Sequence, residues 1–153
     1  MTRRAAWIVT ALLATPALAV ADDPPDLAAA RDLDPMTLAR AVDRGGDDLV
    51  LGALAGEPSV GAVNAAPFMT APELALPRLV ELAAGRDPWL APQAMRAVVQ
   101  IAERPLRQEM TRREADPAQL DAVIESLEAL EADEAARADL RVGAALARQQ
   151  LGG

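Results

Sequence analysis

The chain contains no cysteine, histidine, lysine or tyrosine, and its only aromatic residues are one phenylalanine and two tryptophans. Each absence removes a class of function or fold. Without Cys and His there is no thiol nucleophile, no Ser-His-Asp triad, and no ordinary zinc or haem ligand set. Without Cys there is also no disulfide, so packing alone must hold the fold together. Aromatic residues are 2% of the chain and hydrophobic residues 52%, which leaves Ala, Leu and Val to build the core. That composition favours close-packed helices over strands, whose preferred residues are β-branched and aromatic. No G-x-x-x-x-G-K-[ST] or G-x-G-x-x-G run occurs, so no nucleotide site is indicated and no cofactor is expected.

Positive charge is also scarce. All fifteen basic residues are Arg, set against 23 acids, for a net charge of −8. A surface so acidic repels phosphate, which argues against DNA, RNA and anionic membrane surfaces as partners.

Residues 1–21, "MTRRAAWIVTALLATPALAVA", have the three parts of a secretory leader. Arg3 and Arg4 supply the positive start, an apolar run follows from Ala5 to Leu13, and Ala19-Val20-Ala21 places small residues where a signal peptidase reads. The apolar run is shorter than the roughly 20 residues a membrane span needs, and Pro16 breaks it. No Cys follows to carry a lipid anchor. Removing residues 1–21 takes away two arginines and no acid, so the net charge of the remainder moves from −8 to −10. An exported protein, periplasmic or secreted, is expected, with no membrane insertion after the leader is cut.

Residues 22–34, "DDPPDLAAARDLD", are polar and Pro-containing and read as a flexible lead-in. A single α-helical domain is expected over 35–153. Asp34-Pro35, Asp87-Pro88 and Asp116-Pro117 each put an N-cap acceptor before a proline suited to the first helical position. Gly45-Gly46, Gly56 and Gly85 are stop signals. The pattern predicts helices over 35–44, 47–55, 58–69, 72–84, 88–103, 106–114, 117–131 and 134–151, with Pro67 and Pro77 shortening or kinking two of them. No segment alternates with period two.

Two helices differ in kind. Over 117–131, Leu120, Val123, Ile124, Leu127 and Leu130 form one stripe, with Asp121, Glu125 and Glu128 away from it, as in an outer helix. Over 88–103, Gln93, Arg96, Gln100 and Glu103 share one narrow polar face and apolar residues cover the rest. A helix of that kind must have neighbours on several sides.

Residues 49–69, 76–102 and 120–151 repeat a plan: an apolar helix, a short turn, then an Ala-rich helix. The middle copy carries it most fully, with Leu76, Leu79 and Leu82, then Asp87-Pro88, then Ala94, Ala97 and Ile101. These segments resemble HEAT-like helical repeats, including the related bilin-lyase-type repeats. The resemblance implies short helical hairpins stacked as an α-solenoid. It covers roughly two thirds of the chain after residue 21. Pro67 and Pro92, inside second helices, and the extra segment 106–114 depart from the family plan. No local motif carries a lyase activity over. The alternative fold is an irregular α-helical bundle.

Few residues suggest chemistry. Glu125, Glu128 and Glu131, with Asp133 and Glu134, could hold Ca²⁺ or act as an acid/base pair, but a solvated helix face is the simpler reading. Arg104, Arg107, Arg112 and Arg113 interleave with acids, which suggests local pairing before an acidic docking partner. Trp89 is of a residue type enriched at binding hot spots, yet packing logic would use it to plug the gap between adjacent repeats. Phe68 and Met69 read as core. The expectation is a non-catalytic interaction or scaffold module, a monomer with an unknown protein partner. Arg78, Trp89 and Arg96 are the candidate binding residues, and no catalytic or metal-ligating residue is assigned. The alternatives are a carboxylate-dependent lyase or hydrolase, marked by a paired-acid pocket, and an exported bundle holding an apolar ligand in a closed cavity.

Overall fold

The computed structural model describes residues 35–104 and 116–152. The leader, the lead-in, the segment 106–114, and with it Arg107, Arg112 and Arg113, lie outside the described residues. Every regular element among the described residues is helical.

Helix α1 (Pro35–Ala55) is two arms joined at Gly46, whose φ of 69° and ψ of 179° lie outside the helical region. That conformation is open almost only to glycine, which is why Gly45-Gly46 divides the segment where the sequence predicts. Asp47 opens the second arm and reaches far along the chain. Its Oδ1 accepts the Thr70 N–H and its Oδ2 the Ala71 N–H, each at 2.8 Å.

The next helices are shorter than the pattern predicts, and proline is the reason. Helix α2 (Val60–Ala65) starts on Ser59, whose Oγ accepts the Ala62 N–H at 3.1 Å. It ends before Pro67, which has no N–H to continue the ladder, and the chain tightens into a 3-10 turn at Ala66–Phe68. A second 3-10 turn, Pro72–Ala75, leads into α3 (Leu76–Ala83), with Pro77 in its opening turn. The helix expected over 72–84 is therefore a turn and a helix of eight residues.

Helix α4 (Leu90–Ala102) is the inner helix anticipated from its apolar circumference. Asp87 opens it: Oδ1 accepts the N–H groups of Trp89 at 2.8 Å and Leu90 at 2.9 Å, and the Asp87 carbonyl accepts the Ala91 N–H at 3.1 Å. Pro88 and Trp89 form the turn that leads from Asp87 into the helix. Pro92 does not interrupt α4, contrary to the expectation. It falls so near the start that the ladder bond it removes is one to the Pro88 carbonyl.

Helix α5 (Pro117–Ala132) begins the same way, Asp116 Oδ1 accepting the Ala118 N–H at 3.0 Å. Val123, Leu127 and Leu130 are buried on its inner stripe and Leu120 and Ile124 half-buried beside it. Helix α6 (Ala138–Gly152) starts four residues later than predicted. Asp133 forms a turn instead, its Oδ1 accepting the Ala135 N–H at 2.9 Å, so Glu134 to Arg137 serve as the connection.

Sequential helices pair: α1 with α2, α3 with α4, α5 with α6. Helix α4 also packs on α2 and on α6, and α3 packs on α5. Eight of the thirteen α4 residues are buried, so it is walled on three sides. One apolar cluster runs from Leu38 to Ala147, and no polar or charged residue among the described residues is buried. Small residues set the closeness of the α4–α6 contact. A Cβ on Gly143 would stand 2.5 Å from Met95 Cγ and 3.8 Å from Val99 Cγ2.

Candidate functional site

The one face that α4 leaves open carries its polar stripe. Trp89, Gln93, Arg96, Gln100 and Glu103 follow one another at spacings of four, three, four and three, which keeps them on one side of a helix. All but half-buried Gln93 are exposed.

Trp89 stands out. Its side chain is 80% exposed, so it does not plug a gap between helical pairs, and that expectation is corrected here. The physical reason is local. Asp87 holds the Trp89 N–H and sets the start of the helix, and the register that buries Leu90 and Ala91 turns Trp89 outward. A buried Trp removes about 200 Å² from water, so an exposed one forgoes about 4 kcal/mol of burial.

Arg96 lies two turns along the same stripe, its Nη1 donating to Gln93 Oε1 at 3.3 Å. Arg78 is elsewhere and already occupied. From α3 its Nε donates to the Leu54 carbonyl oxygen at 3.1 Å, and its Nη1 to Glu81 Oε2 at 2.6 Å. Of the three candidate binding residues, the fold brings Trp89 and Arg96 onto one surface and uses Arg78 to join α1 to α3. Arg86, which has no sequence signal of its own, is near them in the chain. It is exposed, three residues before Trp89, in the run "GRDPW".

The acids are placed for structure. Arg148 on α6 meets Glu131 at 2.9 Å and Glu128 at 3.7 Å, so two members of the acidic edge on α5 form an interhelical ion pair. Asp87 is held below its ordinary carboxylate range by the N–H groups of Leu90 and Trp89, and Asp139 by the hydrogen bond from Arg137. Both favour the charged form, the opposite of what a general acid needs. Among the described residues, no group of three or more acids is arranged to hold a metal ion.

Two further clefts are open grooves. One, about 470 Å³, runs along α1 beside Met36, Arg40, Asp43, Phe68 and Thr70. The other, about 170 Å³, lies between α3 and α5 at Pro77, Val80 and Val123. No described helix is long and apolar enough to cross a membrane. Phe68 is half-buried against the core and Met69 fully buried, as their sequence context suggests.

Comparison with known proteins adds no family to this picture: no family model matches the chain, and no curated protein or solved structure does.

Proposed function

We propose that this chain is an exported, non-catalytic module of stacked helical hairpins, HEAT-like in plan, that binds a partner protein through the open stripe of α4. The stacking reading is supported by the contacts of the second helices in series, α2 on α4 and α4 on α6, with α3 meeting α5 in the other layer. Stacked hairpins each bury a face the others lack, and the surface made by successive helices becomes the binding face. Export is supported by the leader-like composition of residues 1–21. The monomeric state remains part of the proposal.

The observation that carries the binding reading is the exposure of Trp89, at 80%. Trp and Arg are the side chains that most often dominate binding energy, and here Arg96 is on α4 and Trp89 immediately precedes it. The test is a photo-crosslinking amino acid placed at position 89, and separately at Asp121 on the exposed side of α5, in the producing cells. A defined adduct from position 89 that is missing from position 121, and that disappears with Arg96→Ala, is the expected result. Identical adduct patterns from both positions, or none from position 89, would remove the reading.

A further inference from the structure

We propose that the segment docking on α4 is acidic, an extended peptide stretch with an apolar residue between carboxylates. The proposal rests on the binding reading above and goes on to name the chemistry of the partner.

The argument begins with what the arginines do. Arg78 meets Glu81, Arg137 meets Asp139, and Arg148 meets Glu128 and Glu131. Arg141 donates to the Glu131 carbonyl oxygen at 3.3 Å. Arg44 and Arg104 are engaged as well. Arg40, Arg86, Arg96 and Arg141 meet no carboxylate among the described residues, although the chain carries 23 acids to its fifteen arginines. Of these, Arg86 and Arg96 flank exposed Trp89 in the chain.

Geometry sets the spacing of the ligand. Trp89 and Arg96 are seven residues apart on a helix, about 10 Å along its axis. An extended peptide covers that distance in about three residues. An apolar side chain lying on the Trp89 indole then places a carboxylate near Arg96. A second carboxylate on the other side faces Arg86, which precedes the helix. Bidentate pairing to a carboxylate suits the planar guanidinium.

The net charge of the protein does not oppose this. Exposed charges are screened over about 8 Å at physiological salt, so the near arginines outweigh distant acids. Asp87, next to Arg86 in the chain, already accepts two backbone N–H groups at the positive end of the helix. Glu103 lies seven residues beyond Arg96, about 10 Å farther along α4.

The experiment uses the full chain carrying Trp7→Phe, so that Trp89 is its sole indole. Three capped peptides are titrated: DDPLPDD, its Asn analogue NNPLPNN, and RRPLPRR. The expected result is a blue shift of Trp89 emission with DDPLPDD, in a titration that weakens at least about tenfold with the Asn peptide and with Arg86→Gln/Arg96→Gln, and weakens as salt rises. Far-UV circular dichroism of the double variant should match the parent, since both side chains are exposed. Equal binding of the Asn or Arg peptide overturns the acidic assignment while leaving α4 as a docking surface. No shift with any of the three also overturns it. Emission already blue before peptide is added, and moving red on dilution, would assign the stripe to a second copy of the chain and overturn the proposal. A loss of crosslinks from position 89 would remove the broader reading, so the two failures are separable.

Discussion

The guanidinium of Arg78 donates from Nε to the carbonyl oxygen of Leu54, 3.1 Å away and 24 residues earlier in the chain. Leu54 is in the last turn of α1, where carbonyls lack a helical partner, so Arg78 acts as a cap supplied by another helix. Arg78→Ala should lower stability by about 1–2 kcal/mol, read as a lower urea midpoint at unchanged slope. It should leave crosslinking from position 89 intact. Trp89→Ala should do the reverse, moving stability by no more than about 0.5 kcal/mol, as expected at an exposed site.

Two glycines of α1 should respond to alanine with opposite sign. Gly46 has φ of 69°, and a Cβ there meets nothing within 4 Å, so the penalty of Gly46→Ala is purely conformational. A loss of about 1–3 kcal/mol is expected. Gly52 lies inside the second arm, exposed, with open space where a Cβ would go. Gly52→Ala should raise stability by about 0.5–1 kcal/mol through the backbone entropy of the unfolded chain. Thermal melts of the two variants side by side check both signs.

Gly143 and Met95 should be energetically coupled. Gly143→Ala puts a methyl group 2.5 Å from Met95 Cγ, and an overpacked contact costs about 1–3 kcal/mol. Met95 is buried but flexible, so it will give way at the expense of its own packing. In a double-mutant cycle with Met95→Ala, the two substitutions together should destabilise less than the sum of the two alone.

Acid should loosen the start of α4. The Asp87 carboxyl is depressed in the folded state by the N–H groups of Leu90 and Trp89. A depressed carboxyl means that the unfolded chain binds its proton first. The stabilisation is therefore fully present above the unfolded value, near pH 4, and is lost as pH falls through the folded value. Asp139 contributes in the same direction through Arg137. Stability measured from about pH 5 downward should fall less steeply in Asp87→Asn, whose amide oxygen still caps but does not titrate.

How much of this could be read from sequence follows from where each signal lies. Asp87-Pro88 and Asp116-Pro117 are local signals: Asp116-Pro117 starts its helix as read, and Asp87 holds the opening N–H groups of α4, which begins two residues past Pro88. Gly45-Gly46 is local too, and the backbone turns there. The inner position of α4 was legible because apolar residues all round a helix leave no other place for it. Pro67 and Pro77 were visible, but the choice between kink and termination depends on the packing of the turns that follow. The role of Arg78 had no sequence signal, since its acceptor is a backbone atom on another helix. Trp89 was misjudged because the capping register, set by Asp87, outweighed hydrophobic preference for a single side chain.

Helix α4 touches all three of the others that wall it in, and that governs how the molecule comes apart. In a long repeat array each unit leans only on its neighbours, and the ends can peel away one at a time. Here α2, on one flank, and α6, on the other, press on the same thirteen-residue rod. Losing either flank bares that rod to water, so its hold on the opposite flank weakens in the same event. With α2, α3 and α6 all resting on α4, those helices are expected to unfold together, in one cooperative transition.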